Sequence, residues 1–196
     1  MVQQVRDRRA ERHVATRDEI VAAAWQLARE VGLTAFTLRQ VAEAVGMRAP
    51  SLYSYFESKT DIYDAMFEQA NTELLARART LDPGPEVRTA LLRALRLFVE
   101  FCVEDPVRYQ LLFQRTIPGF DPSPQAYAPA VEVLEETRRR FAAFGLRQQR
   151  HLDLWTALTV GLVSQQLANE PGGRRWTRLG DDVVDMYLAH TERDRA

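Results

Sequence analysis

A glycine set between two short apolar repeats constrains this chain more than any other feature. From Thr37 to Lys59 it reads TLRQVAEAVGMRAPSLYSYFESK. Leu38, Val41, Ala42 and Val45 recur at i, i+3, i+4 and i+7, which gathers them on one helical face, and Leu52, Tyr55 and Phe56 resume the pattern after a break. Gly46 between the sets can take the left-handed conformation that ends a helix and turns the chain. Pro50 suits a first helical turn, where its missing N–H leaves no bond unmade. The spacing predicts two short helices, over about 38–45 and 50–56, joined at a steep angle as a helix-turn-helix. Thr37 is placed to cap the first of them.

The rest of the chain reads as helices punctuated by proline and glycine. Thr16 and Glu19 make a capping box ahead of an apolar stripe, Ile20, Ala24, Leu27 and Val31, that stops at Gly32, so a helix is expected over 17–31. Ser58 and Asp61 make a second box and open a long helix, 58–81, which Pro83-Gly84-Pro85 ends. Its start is expected beneath the second short helix and its far end in the second domain. Val87 to Cys102 carries the next stripe, and Asp105-Pro106 starts another helix as N-cap and first residue. Pro118, Pro122, Pro124 and Pro129 make 118–129 irregular, at least in its first half. The helix that follows ends in Arg138-Arg139-Arg140, read as a solvated cluster answering the helix dipole in preference to a second nucleic-acid patch. Helices over 148–169 and 174–190 close the chain. The first is apolar on more than one face and must be buried nearly all round. In a chain this small that implies a partner helix from a second copy, with Leu154, Leu158, Gly161 and Leu162 at the interface and Val183, Val184 and Tyr187 added by the last helix. The expected fold is all-α, about nine helices: an N-terminal arm and three-helix helix-turn-helix domain over 1–60, and a C-terminal helical domain over 61–196.

A net charge of −1 suits a polyanion ligand only if the charge is segregated. Residues 1–60 hold nine basic against seven acidic side chains, and residues 61–196 seventeen against twenty. Arg6, Arg8, Arg9, Arg12 and Arg17 crowd the start and read either as an arm that reaches phosphates or a minor groove, or as a tail that aids solubility. Cys102 is the sole cysteine, so no internal disulfide can form, and on an apolar helix face it reads as a small buried hydrophobe before a redox sensor. Three scattered histidines make no zinc site; no metal and no cofactor are expected. No run of 18 apolar residues offers a membrane span and the arginine-rich start lacks a signal sequence's apolar core, so a cytoplasmic protein without a membrane partner is expected.

Leu52-Tyr53-x-Tyr55-Phe56-x-x-Lys59, two rings and a lone lysine directly after the second short helix, resembles the TetR/AcrR family of bacterial transcription regulators. Ile20-Val21-x-Ala23-Ala24-x-x-Leu27, Gly32 and Thr37 extend the resemblance over about residues 14–74; beyond them only size and helical character agree. The side chains that point away from core-facing Leu52, Tyr55 and Phe56 are Arg48, Ala49, Ser51 and Ser54, with Pro50 offering apolar contact to a thymine methyl. Arg39 matches a base-contacting arginine of similar proteins, and it and Arg48 are the expected specificity residues, each bidentate pair with guanine being worth about 1–3 kcal/mol. The resemblance further implies that Tyr53, Lys59 and Thr37 anchor phosphates, with Tyr55 mainly packing. It implies a homodimer, through a four-helix bundle, on a palindromic operator in double-stranded DNA, associated with the nucleoid when bound. It also implies that the second domain, with Phe67, Phe98, Phe101, Cys102, Tyr109, Phe113, Tyr127, Phe141, Trp155 and Thr159, senses a small apolar or amphipathic effector that releases repression. Gln110, Gln165 and Gln166 are further hydrogen-bonding side chains for it.

Two other classes compete. The chain lacks G-x-S-x-G, H-E-x-x-H, a P-loop and G-x-G-x-x-G, and His151 with Asp153 at i, i+2 cannot face one ligand, so no catalytic residue is expected. A helix-turn-helix regulator governed by a protein partner would carry an exposed apolar patch in place of a ring-lined cavity. Activation in place of repression also stays open.

Overall fold

The computed structural model describes residues 2–193, with side chains from Arg8 to Glu192. Among these residues every regular element is helical: α1 Val2–Val31, α2 Leu38–Ala44, α3 Ala49–Leu52, α4 Lys59–Thr80, α5 Val87–Glu104, α6 Pro106–Phe113, α7 Pro124–Ala143, α8 Gln149–Asn169, a 3₁₀ turn at Thr177–Leu179, and α9 Gly180–Arg193. No helix among them is long and apolar enough to cross a membrane. The chain divides into two compact units, Met1–Gln69 with Arg115–Tyr127, and Ala70–Gln114 with Ala128–Ala196. The boundary thus falls at 69/70 inside α4, not at 60/61, and a second stretch of chain returns to the first unit.

The physical reasons lie in the first three turns of α4. Trp25 Nε1 of α1 donates to Gln69 Oε1 at 2.8 Å, and the Tyr63 hydroxyl donates to the Leu33 carbonyl. Phe36 meets the Tyr63 ring edge-on at 5.7 Å. The returning segment seats Phe120 against Tyr63 at 5.4 Å and Tyr127 on Phe67 at 5.9 Å, and the Ser123 N–H donates to Asp64 at 3.0 Å. Pro118 and Pro122 lie in irregular chain, whereas Pro124 and Pro129 sit inside α7, with Ser123 as its N-cap. α1 starts well before 17. Thr16 lies mid-helix and caps nothing, and Arg8, Arg9 and Arg12 ride on an exposed helical rod where an extended arm was expected; the Arg6 side chain lies outside the described ones. The buried face of α1 is Ile20, Val21, Ala24, Trp25 and Ala28, while Val31 is exposed.

In the second unit, α5 carries the most strongly one-sided apolar pattern and buries Leu91, Leu92 and Leu95 with Phe141, Trp155, Leu162, Val183, Val184 and Tyr187. A second cluster holds Leu74, Phe101, Cys102, Tyr109 and Val163. Beside it the Arg108 guanidinium lies 3.8 Å from the Phe101 ring centroid, donates to the Phe101 carbonyl at 2.6 Å and pairs with Glu73 at 2.9 Å. That guanidinium is almost fully buried, and a charge in such a place is tolerable only with partners of this kind. Cys102 is fully buried and desolvation pushes its thiol pKa upward, which fits a packing role and not a reactive one. Arg138 and Arg139 pair with Glu135 and Glu136 on their own helix, but Arg140 caps a different one, donating to the Leu81 and Ala78 carbonyls at 2.8 and 2.5 Å at the end of α4. The segment before α9 is not an early helical turn as expected. The buried Gln166 side chain accepts from Trp176 N and Thr177 N at 3.0 and 3.3 Å, holding the chain in a loop until the 3₁₀ turn.

The turn between α2 and α3 is closed by two bonds, Met47 N to Ala42 O at 2.8 Å and Gly46 N to Glu43 O at 3.1 Å, with Gly46 at φ 69°. This is the Schellman pairing. A Cβ on Gly46 would meet nothing within 4 Å, so backbone strain alone opposes a side chain there. Gly46→Ala should lower unfolding stability by about 1–2 kcal/mol, read as a shifted urea midpoint at unchanged slope.

Candidate nucleic-acid interface and cavity

α3 is only four residues long, so its place has to come from contacts and not from helix propensity. Past Leu52 the chain tightens, with Ser54 N and Tyr55 N bonding back three residues and Phe56 N back four, so the expected helix over 50–56 is one α-turn followed by 3₁₀ turns in the same direction. Leu52 and Phe56 are fully buried. Arg17 holds the far end: its guanidinium donates to the Tyr55 carbonyl at 2.6 Å and covers the Phe56 ring at 4.1 Å. Tyr55 also stacks on His13 at 4.6 Å, in keeping with its expected packing role. Arg17 belongs to this lock and not to a basic arm, and its partners 38 residues away left no local signal.

The outward face then carries Arg48, Pro50, Ser51, Tyr53 and Ser54, all exposed, with Ala49 partly so. Tyr53 keeps 52% of its surface open, which is unusual for a ring and frees its hydroxyl for a partner outside the chain. Arg48 is the N-cap of α3 with no cap bond from its side chain, and it has no ion-pair partner among the described residues. Arg39 is exposed but bonded to Glu43 at 2.9 Å, one turn along α2. Exposed i, i+4 pairs of this kind are weak, so Arg39 stays available at small cost. Ser54 Oγ donates to the Ser51 carbonyl at 2.7 Å.

Two expected anchors are more engaged than the sequence implied. Thr37 is locked in a full capping box: its N–H and its hydroxyl both donate to Gln40 Oε1, at 2.8 and 2.9 Å, while Gln40 N donates back at 3.2 Å. The T-x-x-Q spacing from Thr37 to Gln40 was the legible signal for this box. A phosphate contact from Thr37 would have to displace Gln40. Lys59 donates to the Thr34 carbonyl at 2.8 Å and sits 4.3 Å over the Phe36 ring and 5.4 Å over Tyr63. Burial there lowers its pKa from the usual lysine value. An ammonium has three donors and the Thr34 bond uses one, so a phosphate contact remains open to it.

Residues 20–66 match the family model for bacterial regulatory proteins of the tetR family. The HTH-type transcriptional repressor Rv1353c of Mycobacterium tuberculosis is 22% identical over 143 residues, 73% of this chain and 53% of its own length. A tetR-family transcriptional regulator from Streptomyces coelicolor superposes with a TM-score of 0.69 at 19% identity, over 88% of this chain and 78% of that one. A single-residue variant of TetR from Acinetobacter baumannii AYE, solved in complex with minocycline, does so with a TM-score of 0.63 at 22% identity, over 90% of this chain and 96% of that one. Residues 20–66 thus carry a tetR-family regulatory domain, and the solved structures share the fold of the chain around it. It spans about half the length of the curated relatives it matches.

The second unit holds a cavity of about 150 Å³ with a largely apolar lining. Five of the ten expected residues line it: Phe98, Phe113, Phe141, Trp155 and Thr159. The other five do not. Phe67 and Tyr127 stack on each other in the first unit, Phe101 lies under Arg108, and Cys102 and Tyr109 are buried in the second cluster. Helical spacing places a ring on the inward face but cannot tell cavity wall from solid core. The walls that sequence reasoning missed are mostly aliphatic, Leu74, Leu91, Leu97, Val133 and Val160 among them, with Phe144, Glu136, Thr137, Arg140 and Thr156 added. Gln166 is committed to the loop before α9, as described above.

The expected dimer residues divide in the same way. Leu162, Val183, Val184 and Tyr187 are buried in their own subunit's core, so α8 is covered from within more fully than its composition suggested. Leu154 and Leu158 are partly buried, and Gly161 is exposed together with Ala157 on α8 and Met186 on α9.

Replacing Arg17 with Met removes both the charge-assisted bond to Tyr55 and the guanidinium over Phe56. We expect a loss of about 1–3 kcal/mol in chemical denaturation, with α3 the first segment to gain amide exchange.

Proposed function

We propose that the protein is a homodimeric transcription regulator that represses by binding a palindromic operator in duplex DNA and is released by a small apolar or amphipathic effector. The observation that carries the reading is the division of α3 and the turns after it, with Leu52 and Phe56 buried and Arg48, Ser51, Tyr53 and Ser54 exposed. Such a wedge suits a major groove. Arg48 and Arg39 read guanine edges, Pro50 and Ala49 meet a thymine methyl, and Tyr53 and Lys59 fix register on phosphates without reading sequence. The related repressor's name supports repression in place of activation. The largely apolar cavity supports a small-molecule effector over a protein partner.

A palindromic site requires two such wedges one or more helical turns apart, about 34–36 Å for adjacent grooves. The exposed Ala157, Gly161 and Met186 of α8 and α9, with the partly buried Leu154 and Leu158 beside them, supply the face for pairing. Small residues let two helices approach closely, and Met186 is 61% exposed in the single chain. Release is then a population shift. α4 contributes to both compact units, so an effector that prefers one arrangement of α4 changes the spacing of the wedges. Moving such an equilibrium from 99:1 to 1:99 takes about 5.5 kcal/mol of differential affinity.

On an operator selected from random duplexes, Arg48→Ala should relax preference at one position per half-site. Lys59→Ala should weaken all sequences alike and flatten the salt dependence. Wild-type selectivity in both variants would sink the assignment. Pairing has its own test. A Cβ at Gly161 meets nothing within 4 Å inside the chain, so Gly161→Glu should keep its helicity by circular dichroism yet sediment as a monomer. A Gly161→Glu dimer would move the interface elsewhere.

A further inference from the structure

We propose that the effector is a neutral molecule of about one ring, with a hydrogen-bond donor that the cavity threonines accept. The inference rests on reading the cavity as the effector site and adds the chemical class.

Size comes first. Pockets for drug-sized ligands run from about 300 to 1,000 Å³, whereas a dry apolar cavity of about 150 Å³ is filled by benzene. The cavity here is about 150 Å³ and so takes a single ring or a chain of similar bulk.

Charge comes next. The ionised side chains in the lining are Glu136 and Arg140, and they are spent on each other and on backbone: Arg140 Nε donates to Glu136 at 2.7 Å while its other nitrogens donate to the Leu81 and Ala78 carbonyls. The Arg140 bond holds the Glu136 carboxyl below its ordinary pKa, and the exposed Arg139 takes its other oxygen at 2.6 Å, so the carboxylate stays ionised with both oxygens occupied. An anionic ligand would have to break that pair inside an apolar wall, and a cationic one would have no free counter-charge.

Polarity follows from the hydroxyls. Thr137 Oγ1 donates to the Val133 carbonyl at 2.9 Å, Thr156 Oγ1 to Leu152 at 2.9 Å, and Thr159 Oγ1 to Thr156 at 3.3 Å. Each proton is directed at its own helix, which leaves oxygen lone pairs as what these side chains can offer. Thr159 is the deepest, at 3% exposure. A ligand hydroxyl or N–H that reaches it gains a bond, and an aprotic ligand of the same shape does not.

Phenol, toluene and benzoate test this on the whole chain without DNA, by calorimetry. Phenol and toluene share one shape and differ in the donor; benzoate adds the charge. The expected result is binding of phenol and toluene without benzoate, with Thr159→Val lowering the phenol-to-toluene affinity ratio about three- to tenfold and Thr159→Ser restoring it. Ala94→Phe, which fills the cavity, should abolish both. Benzoate binding as well as phenol, or a ratio unmoved by Thr159→Val, would overturn the proposal. Should Thr159→Val fail to fold, the phenol-against-benzoate comparison in the wild type still decides. If phenol binds as expected but does not free the operator, the effector-release reading fails while the ligand class assigned to the cavity stands. If no single-ring probe binds while a larger compound frees the operator, the reverse holds.

Discussion

A four-residue helix cannot hold itself in place, and the bond from Arg17 to the Tyr55 carbonyl supplies what α3 lacks. The guanidinium closes the open end of the short turn and shields the Phe56 ring, so the chain beyond Leu52 has a fixed path into α4. On the other side of α3, the Schellman turn at Gly46 fixes the angle from α2. Between these two points every outward side chain inherits its direction from the backbone. Lys59 acts in the same sense, tying the start of α4 to the Thr34 carbonyl and the Phe36 ring. The interface is therefore rigid for reasons that lie behind it and not in it, as a sequence-reading surface requires.

How much of this was legible depends on how local its cause is. The helix-turn-helix, the Ser58–Asp61 box, with its bonds of 3.0 and 3.2 Å, and the Asp105 cap all follow from spacings of three or four residues, and they are where the periodicity put them. Arg17, the return of 115–127 to the first unit and the commitment of Gln166 to a loop depend on partners far along the chain. No local pattern carries them. The length of α1 was hidden for a different reason. Residues 8–15 are exposed, so no apolar stripe marks them, and a capping box at Thr16 and Glu19 imitated a start. The apolar surplus of α8 was real, yet composition does not say whether its partner is α5 and α9 of the same chain or a second copy. The core has taken Leu162, Val183, Val184 and Tyr187 and left the small residues outside.

The two clusters of the second unit explain how a partly open cavity can persist between them. One side is stiffened by the buried Arg108 with Glu73 and Glu104, the other by Phe141, Trp155 and Tyr187 packed ring against ring at 5.3–6.2 Å. Close-packed walls of this kind do not collapse readily into a gap. The Arg140 cap fixes the end of α4 at the cavity rim, which ties the cavity to a helix that contributes to both units.

That tie sets a quantitative condition on release by a ligand. At about 24 cal/mol per Å³, leaving about 150 Å³ unfilled costs about 3–4 kcal/mol. Relief of the void alone would then supply about that amount from one cavity, which is short of the roughly 5.5 kcal/mol needed for a complete switch. Two cavities acting on one shared arrangement contribute about twice as much and exceed it. On the proposed reading, pairing has a second purpose beyond spacing the wedges: it lets two small voids, each too weak alone, act on a single equilibrium, so that release should be steeper than one ligand per chain acting independently would give.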